Sequence, residues 1–355
     1  MSSAAVLELL ADPIAHYPSA TVACFDPTEG ELEADYTGKL PPRRHLDCNR
    51  LKLFLENLSQ AGAPAVLIGA STGHAHLRDL FELGYWFAAA CAANMPGTLM
   101  TALVRPEDPP LDLRTLMTTL AVTERYPVVF VRPGTNLSKN ATVDEVVANM
   151  QPAVQAIAAA KLAVGLYSIP DVSGVPMLPE VAAKLVAGPD GGRIVAIKVT
   201  EANYEQSTQR FLEHPKLRHL KIVQGWDTHI ARALREGGRR VGVTSGPMSF
   251  AIYQYLHIFD CVGRGDWTEV EAAQEAVSVL FRAMQDDPGK FADLQRAKYI
   301  MGLGHPLTST ADPRQVERVL AALESLPRKP DRARLARSLD LMGDGPFHER
   351  LQKSC

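Results

Sequence analysis

The sequence predicts an α/β protein built as a (β/α)8 TIM barrel with additional C-terminal helices. Eight short runs rich in β-branched and apolar residues recur along the chain, and several are almost continuously apolar. Such runs are typical of parallel strands that are buried on both faces. The segments between them show helical periodicity, and a strand spacing of roughly 20 to 45 residues fits successive strand–helix units. An open doubly wound sheet is the alternative, but the glycine-rich phosphate-binding first turn that it needs is not found.

The elements follow one another in barrel order. The eight predicted strands are Thr21–Phe25, Ala65–Gly69, Thr98–Val104, Val128–Val131, Leu162–Tyr167, Ile194–Lys198, Leu220–Val223 and Val241–Thr244. The helical patterns include Leu77–Ala93, Leu113–Arg125, Val143–Ala159, Leu178–Ala187, Trp267–Met284, Phe291–Met301 and Pro313–Leu326. We therefore predict a barrel over residues 1–265, a helical extension of the same domain over 266–330 and a polar tail over 331–355. The irregular stretch from Gly30 to His45 is interpreted as a surface excursion rather than a loop over an active site.

The composition argues against several classes of protein, among them nucleic-acid-binding and membrane-spanning proteins. The chain has 355 residues, of which 46% are hydrophobic, and a net charge of −3. It therefore lacks the excess of basic residues that would predict a nucleic-acid partner. Its apolar stretches are too short or too interrupted to predict a membrane span, and its start lacks the pattern of a secretory signal. We expect a cytoplasmic protein. The five cysteines show no paired spacing, so neither a metal site nor a disulfide framework is predicted.

Lys198 is the strongest single candidate for chemistry, since it ends the otherwise apolar run Ile194–Ile197. A lysine in this place lies at the mouth of a barrel, where the active sites of this fold are found. Loss of hydration there lowers the pKa of the ammonium, and the neutral amine attacks ketones to form Schiff bases. The alternative is a lysine that extends its ammonium into solvent at a strand end.

Polar residues follow other predicted strands. The turn that begins at Gly69 presents Ser71 and Thr72, whose hydroxyls and backbone N–H groups suit a carboxylate; a simple strand-to-helix cap is the alternative. Tyr167 ends the fifth strand, where it serves either as a proton-transfer group or as a half-buried packing residue.

The turns after the seventh and eighth strands combine glycines with hydroxyl-binding side chains. Gly225 and Gly242 allow close approach of the backbone. Asp227, Thr228 and Ser245 are candidates for binding substrate hydroxyls, and ordinary turn chemistry is the alternative for each.

From about Phe25 to Gly302 the chain resembles the class I pyruvate aldolases, typified by dihydrodipicolinate synthase and N-acetylneuraminate lyase. The resemblance rests on five markers in order: Ser71-Thr72-Gly73, Tyr167 with Pro170, Lys198, Gly225 with Asp227, and Gly242 with Ser245. It implies that Lys198 forms a Schiff base with C2 of pyruvate or another 2-oxo acid, that Tyr167 transfers the proton, and that Ser71 and Thr72 hold the carboxylate. It also implies an aldehyde or other electrophile as second substrate, a homotetramer or dimer, no cofactor and no metal.

Within that family the chain is more similar to the lyases than to the synthases. Asp171-Val172-Ser173-Gly174 resembles the lyase pattern Ala-Leu-Ser-Gly, and Val172 stands where synthases carry an arginine. Thr200, a predicted substrate-binding residue, also matches the lyases. Two departures stand out: the stretch after the fourth strand begins with Arg132 and holds no tyrosine, and His74 replaces the usual glutamate. Arg132 either binds an acidic group of the substrate or forms a surface ion pair, and His74 is either an acid–base group or a helix-capping surface residue.

Three functions remain open at this stage. The first is an aldolase that makes or breaks a C–C bond through a lysine-bound enamine. The second is a dehydratase of deoxy-keto sugar acids that uses the same Schiff base. The third is a catalytically retired barrel that binds a 2-oxo acid without reacting with it.

Overall fold

A computed structural model of the protein describes residues 3–29, 46–285, 292–305 and 314–353. The predicted surface excursion from Gly30 to His45 lies outside these residues, and so does Cys355. None of the described helices has the length and apolarity that crossing a membrane requires.

Eight parallel strands close into a barrel in the order β1 to β8, which confirms the predicted fold class. The strands are β1 (Ala20–Ala23), β2 (Ala65–Ile68), β3 (Leu99–Val104), β4 (Val128–Val131), β5 (Ala163–Ser168), β6 (Ile194–Val199), β7 (Lys221–Gln224) and β8 (Val241–Ser245). Each predicted run overlaps one of them. Every strand residue except Leu99 is buried, which is why the runs read as continuously apolar rather than alternating.

Helices alternate with the strands and continue beyond the last strand. They are α1 (Ser3–Ala11), α2 (Pro13–His16), α3 (Cys48–Gln60), α4 (Leu80–Cys91), α5 (Pro110–Val122), α6 (Val143–Ala159), α7 (Pro170–Ser173), α8 (Pro179–Ala187), α9 (Thr208–Glu213), α10 (Ile230–Gly237), α11 (Met248–Arg264), α12 (Trp267–Arg282), α13 (Ala292–Ile300), α14 (Arg314–Ser325), α15 (Lys329–Leu339) and α16 (Pro346–Gln352). Side-chain caps define several starts: Asp79 and Glu82 form a capping box at α4, as do Thr142 and Glu145 at α6.

The segment predicted as a polar tail contains α15 and α16. Leu335, Leu339 and Phe347 are buried on these helices, while their many arginines face outward or form ion pairs. Amphipathic helices of this kind hold their apolar residues on one narrow stripe, so a high average polarity hides them.

The chain falls into two compact units. Unit 1 comprises Met1–Thr21, Leu67–Gly69 and Leu99–Thr244, and unit 2 comprises Val22–Val66, Ala70–Thr98 and Ser245–Cys355. Lys198, Tyr167, Thr200, Gly225, Asp227 and Thr228 belong to unit 1, whereas Ser71, Thr72 and Ser245 belong to unit 2.

Phe130 fills the space beside a glycine in the neighbouring strand of unit 1. β4 and β5 pair with Phe130 opposite Gly165, and a Cβ at Gly165 would lie 2.4 Å from Cδ1 of Phe130. This position must therefore be a glycine for the ring to keep its place in the core.

Gly165→Ala is expected to lower the free energy of unfolding by about 1–3 kcal/mol, because the added methyl group overpacks the core against Phe130. Gly84→Ala is the matched control, since Gly84 lies inside α4 with nothing within 4 Å of the position of its Cβ. That substitution should stabilise the protein by about 0.5–1 kcal/mol. Urea unfolding of both variants checks the pair, and a Gly165→Ala variant as stable as the parent would contradict the packing argument.

Candidate active site

The register between β5 and β6 places Tyr167 directly beside Lys198. The Nζ atom of Lys198 donates a hydrogen bond to the hydroxyl oxygen of Tyr167 at 2.7 Å and lies 3.9 Å from the centre of its ring. Both side chains are buried, with exposed fractions of 4% for Lys198 and 2% for Tyr167. The amine and the phenol therefore meet in a site from which bulk water is largely excluded.

Burial sets the charge state of both groups. Desolvation lowers the pKa of Lys198 to about 7, although the carboxylate of Asp227 acts in the opposite direction. Desolvation also raises the pKa of Tyr167 well above its usual value, and the Thr200 side chain and, after it, the charge of Arg132 lower it in part. Near neutral pH a large fraction of Lys198 is therefore an uncharged nucleophile next to a phenol that can donate a proton.

Gly225, at the carboxyl end of β7, makes room for this arrangement. A Cβ on this residue would lie 2.1 Å from Oγ1 of Thr200 and 3.2 Å from Cε of Lys198. Its backbone N–H donates to the carbonyl of Val199 at 2.7 Å, which holds the chain close to β6. The groups that approach the backbone closely at Gly225 are therefore the side chains of Thr200 and Lys198, in this same unit.

Other predicted residues lie on the turns nearby. Asp227 is partly buried in the turn Asp227–His229 and acts electrostatically on Lys198, whereas Thr228 is exposed. Thr200 follows β6, and its backbone N–H bonds to the carbonyl of Ser168 at 2.9 Å. Roles of these residues in binding substrate hydroxyls remain predictions.

Unit 2 contains the turn that was predicted to bind a carboxylate. Ser71 and Thr72 are buried in a single 3-10 turn after β2, and Gly69 precedes it with a φ of 76°. The carbonyl of Thr72 accepts a hydrogen bond from Gln295 on α13 at 3.3 Å. Carboxylate binding by Ser71 and Thr72 stays a prediction.

Ser245, the last residue of β8, also belongs to unit 2. Its hydroxyl lies 3.1 Å from that of Tyr255 and accepts the backbone N–H of Met248 at 3.2 Å. It therefore helps to hold the start of α11, in addition to the predicted contact with substrate.

A buried charge network behind the turn was missed by the sequence reasoning. Asp26 pairs with Arg78 and with Lys298, whose Nζ lies 3.3 Å from the carboxylate, and all three side chains are buried. Burial raises the pKa of Asp26, but the charges of Lys298 and Arg78 outweigh it and hold that pKa below its usual value. Desolvation lowers the pKa of His74 to about 3, so this histidine is neutral.

The family model described as the dihydrodipicolinate synthetase family matches residues 145–313. The resemblance to this family is confirmed. The matched range includes Tyr167, Lys198 and Gly225. No curated protein sequence matches the chain.

Solved structures of low identity share the fold. A sialic acid aldolase from Ruminococcus gnavus is 14% identical, with a TM-score of 0.69, and the match covers 91% of this chain and 98% of that one. A dihydrodipicolinate synthase from Aquifex aeolicus is 15% identical, with a TM-score of 0.70 and coverages of 88% and 100%. YagE, a prophage protein of the dihydrodipicolinic acid synthase family from E. coli solved with pyruvate, is 14% identical, with a TM-score of 0.68 and coverages of 87% and 98%.

A second polar group in unit 2 has the residue types of a metal site. Among the described residues, His257, Cys261 and Glu269 hold potential ligand atoms within 4.8 Å of one another. However, Arg328 pairs with Glu269, and Nη2 of Arg264 lies 3.2 Å from Sγ of Cys261. Since two guanidinium cations already compensate the anionic ligands, we interpret this group as a hydrogen-bonded network between α11, α12 and the segment before α15.

Asp227→Asn is expected to lower the pKa of Lys198 below 7, because the carboxylate is the group that opposes desolvation. The rate at which a small amine-selective reagent or 2-oxo acid modifies Lys198 rises with pH as the ammonium loses its proton. In the variant this rise should move to lower pH, measured by mass spectrometry of the Lys198 peptide. An unchanged profile, or a shift to higher pH, would contradict the electrostatic role of Asp227. Thr228→Val, at the exposed neighbouring position, removes no charge and is the control: it should leave the profile of the amine-selective reagent in place.

Proposed function

We propose that the protein is a Schiff-base-forming class I aldolase that acts on pyruvate or another 2-oxo acid. The observation that carries the proposal is the pair formed by Lys198 and Tyr167. A buried amine with a pKa of about 7, hydrogen bonded at 2.7 Å to a phenol, has the nucleophile and the proton donor that imine formation requires. The complex of YagE with pyruvate supports the choice of 2-oxo acid.

The proposed chemistry begins with addition of the neutral amine of Lys198 to the C2 carbonyl. The N–C2 bond forms, the carbonyl π electrons move to oxygen, and a proton passes from the new ammonium nitrogen to that oxygen to give a neutral carbinolamine. Tyr167 then donates its proton to the departing hydroxyl, so water leaves and the nitrogen lone pair forms the iminium. The water-poor site favours this loss of water and protects the iminium from hydrolysis.

The iminium then acts as an electron sink for the C–C bond. In the cleavage direction a base removes the proton of the C4 hydroxyl, the C3–C4 bond breaks, an aldehyde leaves, and the electron pair forms the enamine. In the synthetic direction C3 of the enamine attacks the aldehyde. Tyr167 is the proposed group for proton transfer, since it is the phenol in contact with Lys198.

Finer features of the proposal come from the resemblance. Val172, at the place of the synthase arginine, and Thr200 favour a lyase-type substrate, and Ser71 with Thr72 is proposed to hold the carboxylate of the 2-oxo acid. We also propose that the protein acts in the cytoplasm as a homo-oligomer, either a tetramer or a dimer.

Borohydride reduction in the presence of pyruvate is expected to fix a pyruvyl adduct on Lys198. Peptide mass spectrometry locates the adduct, and Lys198→Ala should abolish it. Tyr167→Phe should still fold but form the adduct at least about tenfold more slowly, because the carbinolamine loses its proton donor.

Two other buried lysines serve as internal controls. Burial lowers the pKa of Lys221 and of Lys298 to about 8, so general amine reactivity would also label them. An adduct on Lys198 alone supports a specific site. Absence of an adduct with pyruvate and with a panel of longer 2-oxo acids would refute the proposal and leave the retired barrel. Product analysis without borohydride would separate the aldolase from the dehydratase, since only the aldolase releases pyruvate and an aldehyde.

A further inference from the structure

The end of β4 departs from what the resemblance leads one to expect. The residues that follow Val131 are Arg132, Pro133 and Gly134, with no tyrosine to join the proton relay. Arg132 is nevertheless fully buried, which is unusual for an arginine and demands compensation of its charge.

The register of the barrel puts Arg132 on the same side of the sheet as Tyr167. Val131 pairs with Leu166, so the next residues of the two chains, Arg132 and Tyr167, lie alongside each other. Side chains alternate along strands, and Phe130 faces the position of Gly165. Arg132 and Tyr167 each lie two residues further on, and therefore on that same face.

The guanidinium of Arg132 is only partly satisfied by its neighbours. Its Nη2 lies 2.7 Å from Oε1 of Glu107, and its Nη1 donates to Oε2 of Glu107 at 3.3 Å and to the carbonyl of Pro133 at 2.8 Å. Its Nε is buried and has no hydrogen-bond partner within the described part of the chain. Glu107 is 20% exposed, so solvent screens this carboxylate more than it screens the arginine.

The charged groups around Tyr167 in unit 1 are few. Lys198 lies beside it on β6, Arg132 lies at the end of β4, and Asp171 follows β5. Arg132 favours the phenolate and Asp171 disfavours it, while Asp227 acts on Lys198 and Glu107 acts through Arg132. Once Lys198 is converted to an iminium, that cation and Arg132 both favour the phenolate.

We propose that Arg132 is a positioning residue for the aldolase reaction, the fixed cation that stabilises the phenolate of Tyr167. The inference rests on the proposed Schiff-base function. Glu107 orients the guanidinium through two hydrogen bonds and moderates its charge.

The step at which Arg132 acts follows from the proton balance. When Tyr167 gives its proton to the departing hydroxyl of the carbinolamine, the products are water, the iminium and a phenolate. The phenolate then takes a proton from C3, the C3–H electron pair forms the C3=C2 bond of the enamine, and the C=N π pair returns to nitrogen. An arginine side chain stays protonated throughout, so it stabilises the anion without exchanging a proton.

Exchange of the methyl hydrogens of pyruvate for deuterium in D₂O tests this role without an aldehyde. At saturating pyruvate the iminium is already formed, and the exchange rate, followed by proton NMR, rises with pH as Tyr167 becomes a phenolate. Arg132→Met removes the cation and is expected to move this rise upward by about one pH unit, with about tenfold slower exchange near neutral pH. Arg132→Lys keeps the charge and should lie closer to the parent protein than to Arg132→Met.

Glu107→Gln is the matched control with the opposite sign. It breaks the same ion pair but removes a negative charge, so the rise in exchange rate should move to lower pH. A purely structural ion pair would make both variants shift in the same direction or not at all, and either result would overturn the proposal. If Arg132→Met does not fold, Arg132→Lys and Glu107→Gln still decide the outcome. Absence of exchange in the parent protein would instead refute the Schiff-base function itself, with Lys198→Ala as the blank.

Discussion

Desolvation of a single primary amine, that of Lys198, is the constraint on which the candidate site depends. Lys198 is the penultimate residue of β6, whose other residues are apolar, and its Nζ has the Tyr167 hydroxyl at 2.7 Å as a polar partner. Gly225 leaves the space that the lysine stem occupies, and Asp227 lies near enough to oppose desolvation without restoring the ordinary pKa. A closer carboxylate would raise the pKa of Lys198 and keep the ammonium charged. Without any carboxylate nearby the pKa would fall further, and Lys198 would not take back its proton at the end of the reaction. The neighbours hold the amine between these two limits.

The turn in unit 2 that carries Ser71 and Thr72 depends on buried ion pairs instead. Buried charges are tolerated when they are paired and hydrogen bonded, and Asp26 and Glu82 balance Arg78 and Lys298 while His74 stays neutral. His74 adopts a left-handed conformation with a φ of 54°, which costs energy for a residue with a side chain. Gly73 is equally constrained, because a Cβ there would lie 2.3 Å from the ring of Trp86. The surrounding contacts therefore impose the shape of the turn that carries Ser71 and Thr72.

Sequence reasoning succeeded where the signal is local. A lysine or tyrosine that ends an apolar run marks a strand end, so Lys198 and Tyr167 were found, and the eight runs predicted the barrel. It failed where partners are distant: Lys298 and Asp26 are 272 positions apart, and nothing near either residue indicates the pairing. A signal for Asp26 itself, though not for its partner, was its position directly after the predicted strand Thr21–Phe25. The helices of the last segment were missed for another reason, since arginines around Leu335 conceal a narrow apolar stripe.

An arginine beside Tyr167 acts on proton transfer differently from a second phenol. A second phenol passes the proton onward, whereas a guanidinium holds its proton at every accessible pH and contributes only a field. On the proposed function, the whole transfer then falls to Tyr167, and the role of its neighbours is to adjust how easily it gives up its proton. Arg132, Glu107 and Tyr167 all lie in unit 1 of one chain. On the proposed function, proton transfer therefore depends on groups that lie in the same unit.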